Sequence, residues 1–252
     1  MSKRTQLLGG YLSSGAAGTA TGTAAGYDAH STVGLERSTG WLAPSTAAVR
    51  LILNLGAAAA PSGLGLAGGN FSGWGTTSLE HSSDGVTWTP FLTLTGFPAD
   101  ALDYFAALTA APSRQYWSLY WAAPSAAPGL AVFYLGTLTE LAVNEDLGPE
   151  GRDVYNVAEE PAASGAIIAE EYGRRTERFL LKFSGITAAQ FLVLRSFVRA
   201  EGGKRPFFYI PRFDSGTGAS GQAYLVRAGL EMPWTEEITG IFLTSLAMRE
   251  EA

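Results

Sequence analysis

The sequence predicts a mainly β protein. An N-terminal β-sandwich of the jelly-roll kind leads into a small α+β domain with one helix packed on an antiparallel sheet. Three observations predict it. Between residues 41 and 140, apolar and polar residues alternate in many short runs, the period of half-buried strands. Turn signals separate these runs, Ser83-Asp84-Gly85 being the strongest, because Asp and Gly both accept positive φ at a hairpin tip. Beyond residue 166, a single helical pattern is framed by strand-like runs, the signature of a helix laid on a sheet.

Residues 1–40 read as a Gly/Ala/Thr-rich N-terminal arm without apolar periodicity, flexible unless something binds it. The sandwich then spans 41–140. Val49, Leu51, Leu53 and Leu55 alternate with Arg50, Ile52 and Asn54, and Trp117, Leu119 and Trp121 alternate with Tyr116, Ser118 and Tyr120. Leu64 and Leu66 alternate inside a glycine stretch, and Val132 to Leu135 is an apolar run ended by Gly136. Ala101, Leu102, Phe105 and Leu108 have helical spacing, so residues 98–109 are expected to hold a short helix.

Residues 141–165 read as an acidic linker punctuated by Gly148, Pro149, Gly151, Pro161 and Gly165. The α+β domain occupies 166–252. Phe179, Leu181 and Phe183 share one strand face. Thr187 and Gln190 form a capping box for a helix carrying Phe191, Leu194 and Val198, and Gly202-Gly203 ends it. Residues 206–210, 224–230 and 238–248 are expected as further strands.

Charge is distributed unevenly. The first 140 residues hold five bases and seven acids, whereas the remaining 112 hold 28 charged groups. Residues 141–171 carry eight acids against Arg152, and residues 172–212 carry nine bases against Glu177 and Glu201. Such blocks are either solvated surface of mixed sign or the two halves of a contact between copies, which head-to-tail association would close into a ring. The candidate subunit contacts are Arg174, Arg175, Arg178, Lys204 and Arg205 on the basic side and Glu159, Glu160, Glu170 and Glu171 on the acidic side.

Composition narrows the chemistry. The chain has no cysteine and two histidines, which excludes disulfides, thiolate zinc sites and cysteine nucleophiles. A net charge of -6 gives no overall attraction to nucleic acid, and no run reaches the roughly 18 apolar residues of a membrane span. Two G-x-G-x-x-G matches, 63–68 and 216–221, lack the strand-then-helix context of a nucleotide site and read as loop or bulge glycines. His81 beside Glu80 reads as a surface residue near a hairpin. Catalysis and cofactors are therefore not expected. Trp88, Trp117 and Trp121 are assigned to core or interface packing. Trp74, in Ser72-Gly73-Trp74-Gly75, has nothing obvious to bury it and is the candidate exposed aromatic.

Two resemblances add to this reading. Ser82-Ser83-Asp84-Gly85-Val86-Thr87-Trp88 and Arg114-Gln115-Tyr116-Trp117 resemble the discoidin-like, galactose-binding-like jelly rolls, which implies a sandwich but no particular ligand. The strand Arg178–Phe183, the helix after Thr187, Arg205-Pro206-Phe207-Phe208 and the late run Leu246–Glu250 resemble tail-assembly domains of long-tailed bacteriophages, the distal-tail and minor-tail (baseplate) proteins. The second resemblance implies a structural part of a tail tip, assembled in the host cytoplasm and located in the virion tail. There it would form a ring, with a hexamer as the candidate order, and join the tube to other tail proteins. The alternative is a carbohydrate-binding or host-adhesion module that grips a host glycan with its sandwich loops.

Overall fold

The computed structural model describes residues 4–12, 16–97, 103–141, 150–154, 157–161, 167–171, 176–201, 203–213, 220–229 and 232–251. The first half contributes β1 (Arg4–Gly9), β2 (Ala17–Ala20), β3 (Trp41–Leu42), β4 (Val49–Ala59), β5 (Gly63–Ala67), β6 (Thr77–Ser82), β7 (Thr89–Leu94), β8 (Asp103–Ala107), β9 (Arg114–Trp121), β10 (Gly129–Leu130) and β11 (Val132–Glu140). The second contributes β12 (Glu150–Val154), β13 (Val157–Pro161), β14 (Ile167–Glu171), β15 (Thr176–Thr187), α1 (Ala188–Glu201), β16 (Phe207–Phe213), β17 (Ser220–Gln222), β18 (Tyr224–Ala228), β19 (Trp234–Ile238) and β20 (Ile241–Glu250). Every strand pair is antiparallel. The mainly β architecture with one helix is as the sequence predicts.

A five-stranded sheet, β2-β4-β9-β6-β7, forms one layer of the sandwich. Its inward residues are those the alternation selects: Leu51 and Leu53 from β4, Leu79 from β6, and Trp117, Leu119 and Trp121 from β9 are fully buried. They pack on Leu64, Leu66, Phe133 and Leu135 of the opposing layer. That layer belongs to a longer sheet ordered β12-β15-β20-β18-β16-β1-β11-β5-β8-β17, with β19 added beside β20. One continuous sheet therefore runs through both halves of the chain.

β1 makes this continuity. It pairs with β11 on one side and β16 on the other. Successive strand residues face opposite sides, and Leu7 and Leu8 use this. Leu7 joins Phe179, Leu181, Phe183, Phe191 and Leu194 beneath α1, while Leu8 joins Phe105, Tyr134, Phe208 and Leu225. The second cluster sits where the long sheet curls on itself. β17 pairs with β8 at the far end, and the chain passes almost directly from β17 into β18, which pairs with β16.

Several elements differ from the sequence expectation. The Gly/Ala/Thr-rich stretch expected as an arm supplies β1 and β2, and Trp41 Nε1 donates to the Gly22 carbonyl at 3.0 Å. Residues 103–107 form a strand, not a helix, because Tyr104, Phe105 and Ala106 are fully buried on both faces between β5 and β17. Part of the stretch read as a linker is β12, hydrogen-bonded to β15. The run 238–248 is split by a turn at Gly240, whose φ is +79°, into β19 and β20. Of the 63–68 glycines, Gly63 and Gly65 lie on β5, where a methyl at Gly65 would overlap the Phe208 ring and one at Gly63 would overlap Leu8, and Gly68 follows the strand at φ +65°. The second glycine match falls mostly outside the described residues. The capping box is present: Thr187 N–H donates to Gln190 Oε1 at 2.8 Å and Gln190 N–H to Thr187 Oγ1 at 3.4 Å.

Leu8→Ala removes a fully buried side chain and is expected to cost about 2–5 kcal/mol. Because β1 belongs to both halves, urea unfolding should show one shifted transition by circular dichroism and by tryptophan fluorescence alike. Two separate transitions, with only one of them moved, would count against a shared frame.

Candidate functional site

The outward face of the five-stranded sheet carries a cluster of polar and aromatic side chains. Arg50 on β4 lies opposite Tyr120 on β9, which lies opposite Ser78 on β6. The Arg50 guanidinium stands 4.7 Å from the Tyr120 ring centre and 4.9 Å from that of Trp88, a double cation–π contact. Arg50 Nη2 donates to Glu80 Oε2 at 2.6 Å, and Nε donates to the same oxygen at 3.2 Å. The Glu80 side chain is only 6% exposed and that of Arg50 20%, so the pair is largely shielded from water and its geometry is fixed.

The turn after β6 brings Trp88 onto this face. Asp84 Oδ1 accepts from the Val86 and Thr87 amides, each at 2.8 Å, and from the Ser82 hydroxyl at 2.7 Å. Ser82 Oγ in turn accepts from Gly85 N–H at 2.9 Å. Gly85, at φ +74°, lets the backbone turn back over Tyr116. Trp88, Tyr116 and Tyr120 are all half-buried. Beside them, Gln115 Nε2 donates to Asn54 Oδ1 at 3.0 Å. The result is a platform of three partly open rings, stiffened from beneath by an ion pair and edged by amides.

Trp74, the candidate exposed aromatic, is fully buried. A 3-10 turn at Phe71–Gly73 swings it inward, its indole N–H donates to Asn70 Oδ1 at 2.8 Å, and it meets Trp121 edge-on at 4.9 Å. Asn70 supplies the polar partner that a buried indole needs, and Asn70 Nδ2 donates to the Ala127 carbonyl. Trp117 and Trp121 are core, as expected, but Trp88 is the partly open ring. His81, read as a surface residue, is half-buried edge-on to Trp117 at 5.7 Å. Burial first, then the Arg114 charge, holds its pKa below the usual histidine value.

The candidate subunit contacts are distributed differently from the platform. Arg178 is exposed on β15, and Lys204 and Arg205 are exposed in the turn after α1. Arg227 Nη1 donates to the Lys204 carbonyl at 3.4 Å, which places this turn beside β18. Glu159 and Glu160 lie on β13 and Glu170 and Glu171 on β14, the two strands of one hairpin. Arg174 and Arg175 lie outside the described residues. Among the described residues, no group of three or more His, Cys, Asp or Glu is placed to hold a metal ion, and no helix is long and apolar enough to cross a membrane.

No family model matches the chain, and no curated protein matches it. Solved structures similar to about half of the chain do exist. Chitosan-binding module 1 of a Paenibacillus sp. IK-5 chitosanase/glucanase is 18% identical, with TM-score 0.44, over 50% of this chain and 98% of that one. The Clostridium perfringens module CpGH89CBM32-5, solved with GalNAc-β-1,3-galactose, is 11% identical, with TM-score 0.45, over 51% of this chain and 99% of that one. A Ruminococcus gnavus GH29 fucosidase is 12% identical, with TM-score 0.41, and this chain covers only 27% of its length. At these scores the likenesses carry no argument of their own. The jelly-roll assignment stands on the strands described above.

Asp84 yields a pH prediction. The Thr87 and Val86 amides, followed by the Ser82 hydroxyl, hold its carboxyl far below its ordinary value of 3.8. A depressed folded-state pKa contributes stability that is fully present above the unfolded value and lost as pH falls below it. The turn should therefore hold Trp88 in place down to about pH 4 and release it only in stronger acid. The difference in fluorescence between the wild type and Trp88→Phe measures this. Asp84→Ala should show the released signal at neutral pH.

Proposed function

We propose that this chain is a non-catalytic binding protein whose jelly roll recognises carbohydrate at the Trp88 platform, with the α+β unit as the base that carries it. The supporting observation is the stack of Trp88, Arg50 and Tyr120 held by Glu80. A sugar ring offers apolar C–H faces and polar edges. Half-open aromatic rings bordered by Asn54 and Gln115 match both kinds of surface, and a platform fixed before binding loses little entropy on occupation. A shallow, half-open surface suits a chain end or a single residue of a glycan more than an engulfed ligand.

A second reading places the chain in the virion tail of a long-tailed bacteriophage, as a tail-tip subunit contacting other tail proteins. The way β1 joins both halves favours it. The α+β unit is completed by the first strand of the chain, so the sandwich is carried between its two parts as an inserted module. Such an arrangement suits an assembly base that displays a recognition head. Immunogold labelling of intact virions tests this setting, and absence of label from tails would end it.

The carbohydrate reading is tested by isothermal titration and glycan-array binding with chitotriose and GalNAc-β-1,3-galactose as first probes. Trp88→Ala should weaken binding at least about tenfold, the loss expected for one good aromatic contact of ~1.4 kcal/mol, without lowering the melting temperature sharply. Trp74→Ala should do the reverse, costing about 3–5 kcal/mol of stability while the remaining folded protein binds normally. No glycan binding by the wild type across the array would overturn the carbohydrate reading.

A further inference from the structure

The far end of the long sheet carries a row of arginines that the sandwich does not use. Arg152 on β12 is opposite Arg178 on β15, Arg178 is opposite Arg249 on β20, and Arg249 is opposite Arg227 on β18. Directly opposed residues share a sheet face about 5 Å apart, where like charges repel. Four neighbouring strands thus place an arginine at the same level. The turn bearing Lys204 and Arg205 lies beside the Arg227 end of the row, so the strip extends past the sheet.

Among the described residues, local acids neutralise it at one end alone. Arg227 is paired with Glu251 at 2.7 Å. Arg178 and Arg249 are exposed, and among the described residues neither has an ion-pair partner. The opposite face of this part of the sheet is covered by α1 through Phe191, Leu194 and Val198. Along the arginine face the next levels hold half-buried Leu180 and exposed Ala247, then exposed Lys182 and half-buried Ser245. A hollow of about 340 Å³ there is lined by Lys182, Pro233, Thr235, Leu243 and Ser245 among others. The surface is therefore cationic at one end and mixed apolar and polar at the other.

We propose that this face is the docking surface for the acidic β13–β14 hairpin of a second copy of the chain. The hairpin places Glu159, Glu160, Glu170 and Glu171 within two short paired strands, along with Val157, Ile167 and Ile168. The complementarity extends to whole segments, since residues 141–171 have eight acids and one base whereas residues 172–212 have nine bases and two acids. Guanidinium forks pair bidentately with carboxylates, so opposed arginines that repel one another become an ordered receptor once glutamates lie between them. Hairpin and strip are different surfaces, so the contact is head-to-tail and propagates from copy to copy, closing into a ring where its rotation permits. This inference rests on the assembly half of the reading above, and it can fail while the sugar platform stands.

The test uses the full-length chain in light scattering and mass photometry from roughly 50 mM to 500 mM salt, the range over which exposed charge contacts are progressively screened. Wild type should form oligomers at low salt that dissociate as salt rises. Arg178→Glu/Arg249→Glu should be monomeric, as should Glu159→Lys/Glu160→Lys/Glu170→Lys/Glu171→Lys, each weakening association at least about tenfold. Mixed together, the two variants should assemble again, because each then offers the other one native and one charge-swapped contact. Recombination also shows that both are folded, and Arg178→Lys/Arg249→Lys should keep part of the association. A wild type that stays monomeric, an oligomer indifferent to both variants, or variants that do not recombine would each overturn the proposal. Retention on immobilised heparin without self-association would overturn it too, assigning the strip to a polyanion.

Discussion

The fold depends on one shared strand. β1 donates and accepts backbone hydrogen bonds on both edges, to β11 of the sandwich and β16 of the α+β unit. Two adjacent leucines divide its side chains between two cores. At the end of the strand, Gly10 N–H donates to Glu201 Oε1 at 2.8 Å, fastening it to the last turn of α1. Remove β1 and the long sheet loses the strand that joins its two halves, and each unit loses its edge strand and a buried leucine. The glycines of β5 serve the same junction. They leave the volume into which Leu8 and Phe208 project, so a strand that looks under-furnished in sequence is thinned to admit residues from its neighbours.

A buried charge cluster closes the same curl from the other side. Arg37, in the loop before β3, contacts Asp103 of β8 and lies 3.5 Å from Glu250 of β20. Asp103 Oδ2 also accepts from Leu225 N–H on β18 at 2.7 Å. All three charged side chains are at most 5% exposed. Desolvating them offsets much of their attraction, so they add little net stability. Leaving any one behind without its partners would cost about 3–5 kcal/mol. That asymmetry favours a single way of bringing β8, β18 and β20 together. The apolar contacts supply the driving force, and the charges select the register.

Local pattern made much of this architecture legible. The alternations in β4, β9 and β15 and the Thr187–Gln190 cap are properties of neighbouring residues, and each appears as read; the Asp84-Gly85 turn lies where expected, but Gly85 alone takes positive φ and Asp84 works through its carboxylate, which caps a longer connection over residues 83–88. What was not legible is non-local. Nothing near Arg4–Gly9 announces that two distant strands will pair with it. Tyr104–Ala106 carry no period because both faces are buried, and the helical spacing around them was coincidental. The tryptophans were exchanged for the same reason. Trp74 sits among glycines and looks unprotected, but Asn70, Phe71 and Trp121 enclose it. Trp88 looks like a core residue of its hairpin, but the Asp84 turn lays it on the outer face over Arg50. The arginine row was likewise hidden, because its members lie on four strands brought level only by pairing.

Two surfaces therefore stand on one frame, and their chemistry differs in a way that bears on use. The Trp88 platform is shallow and its charges are already paired, so a glycan bound there as proposed would gain ring contact and edge hydrogen bonds but no unspent ion pair. On that reading, affinity per site would be modest. The arginine strip is the converse: exposed, without an ion-pair partner at Arg178 and Arg249 among the described residues, and suited to a partner carrying carboxylates. Were the strip to gather copies as proposed, each would bring a platform fixed to the rest of the chain through β1, not hung on a flexible tether. Rigid display sets the spacing between platforms. Simultaneous binding then raises avidity steeply where a target's glycans match that spacing and does nothing where they do not. A head weak alone would then gain selectivity from its base, with the strand joining them transmitting the geometry.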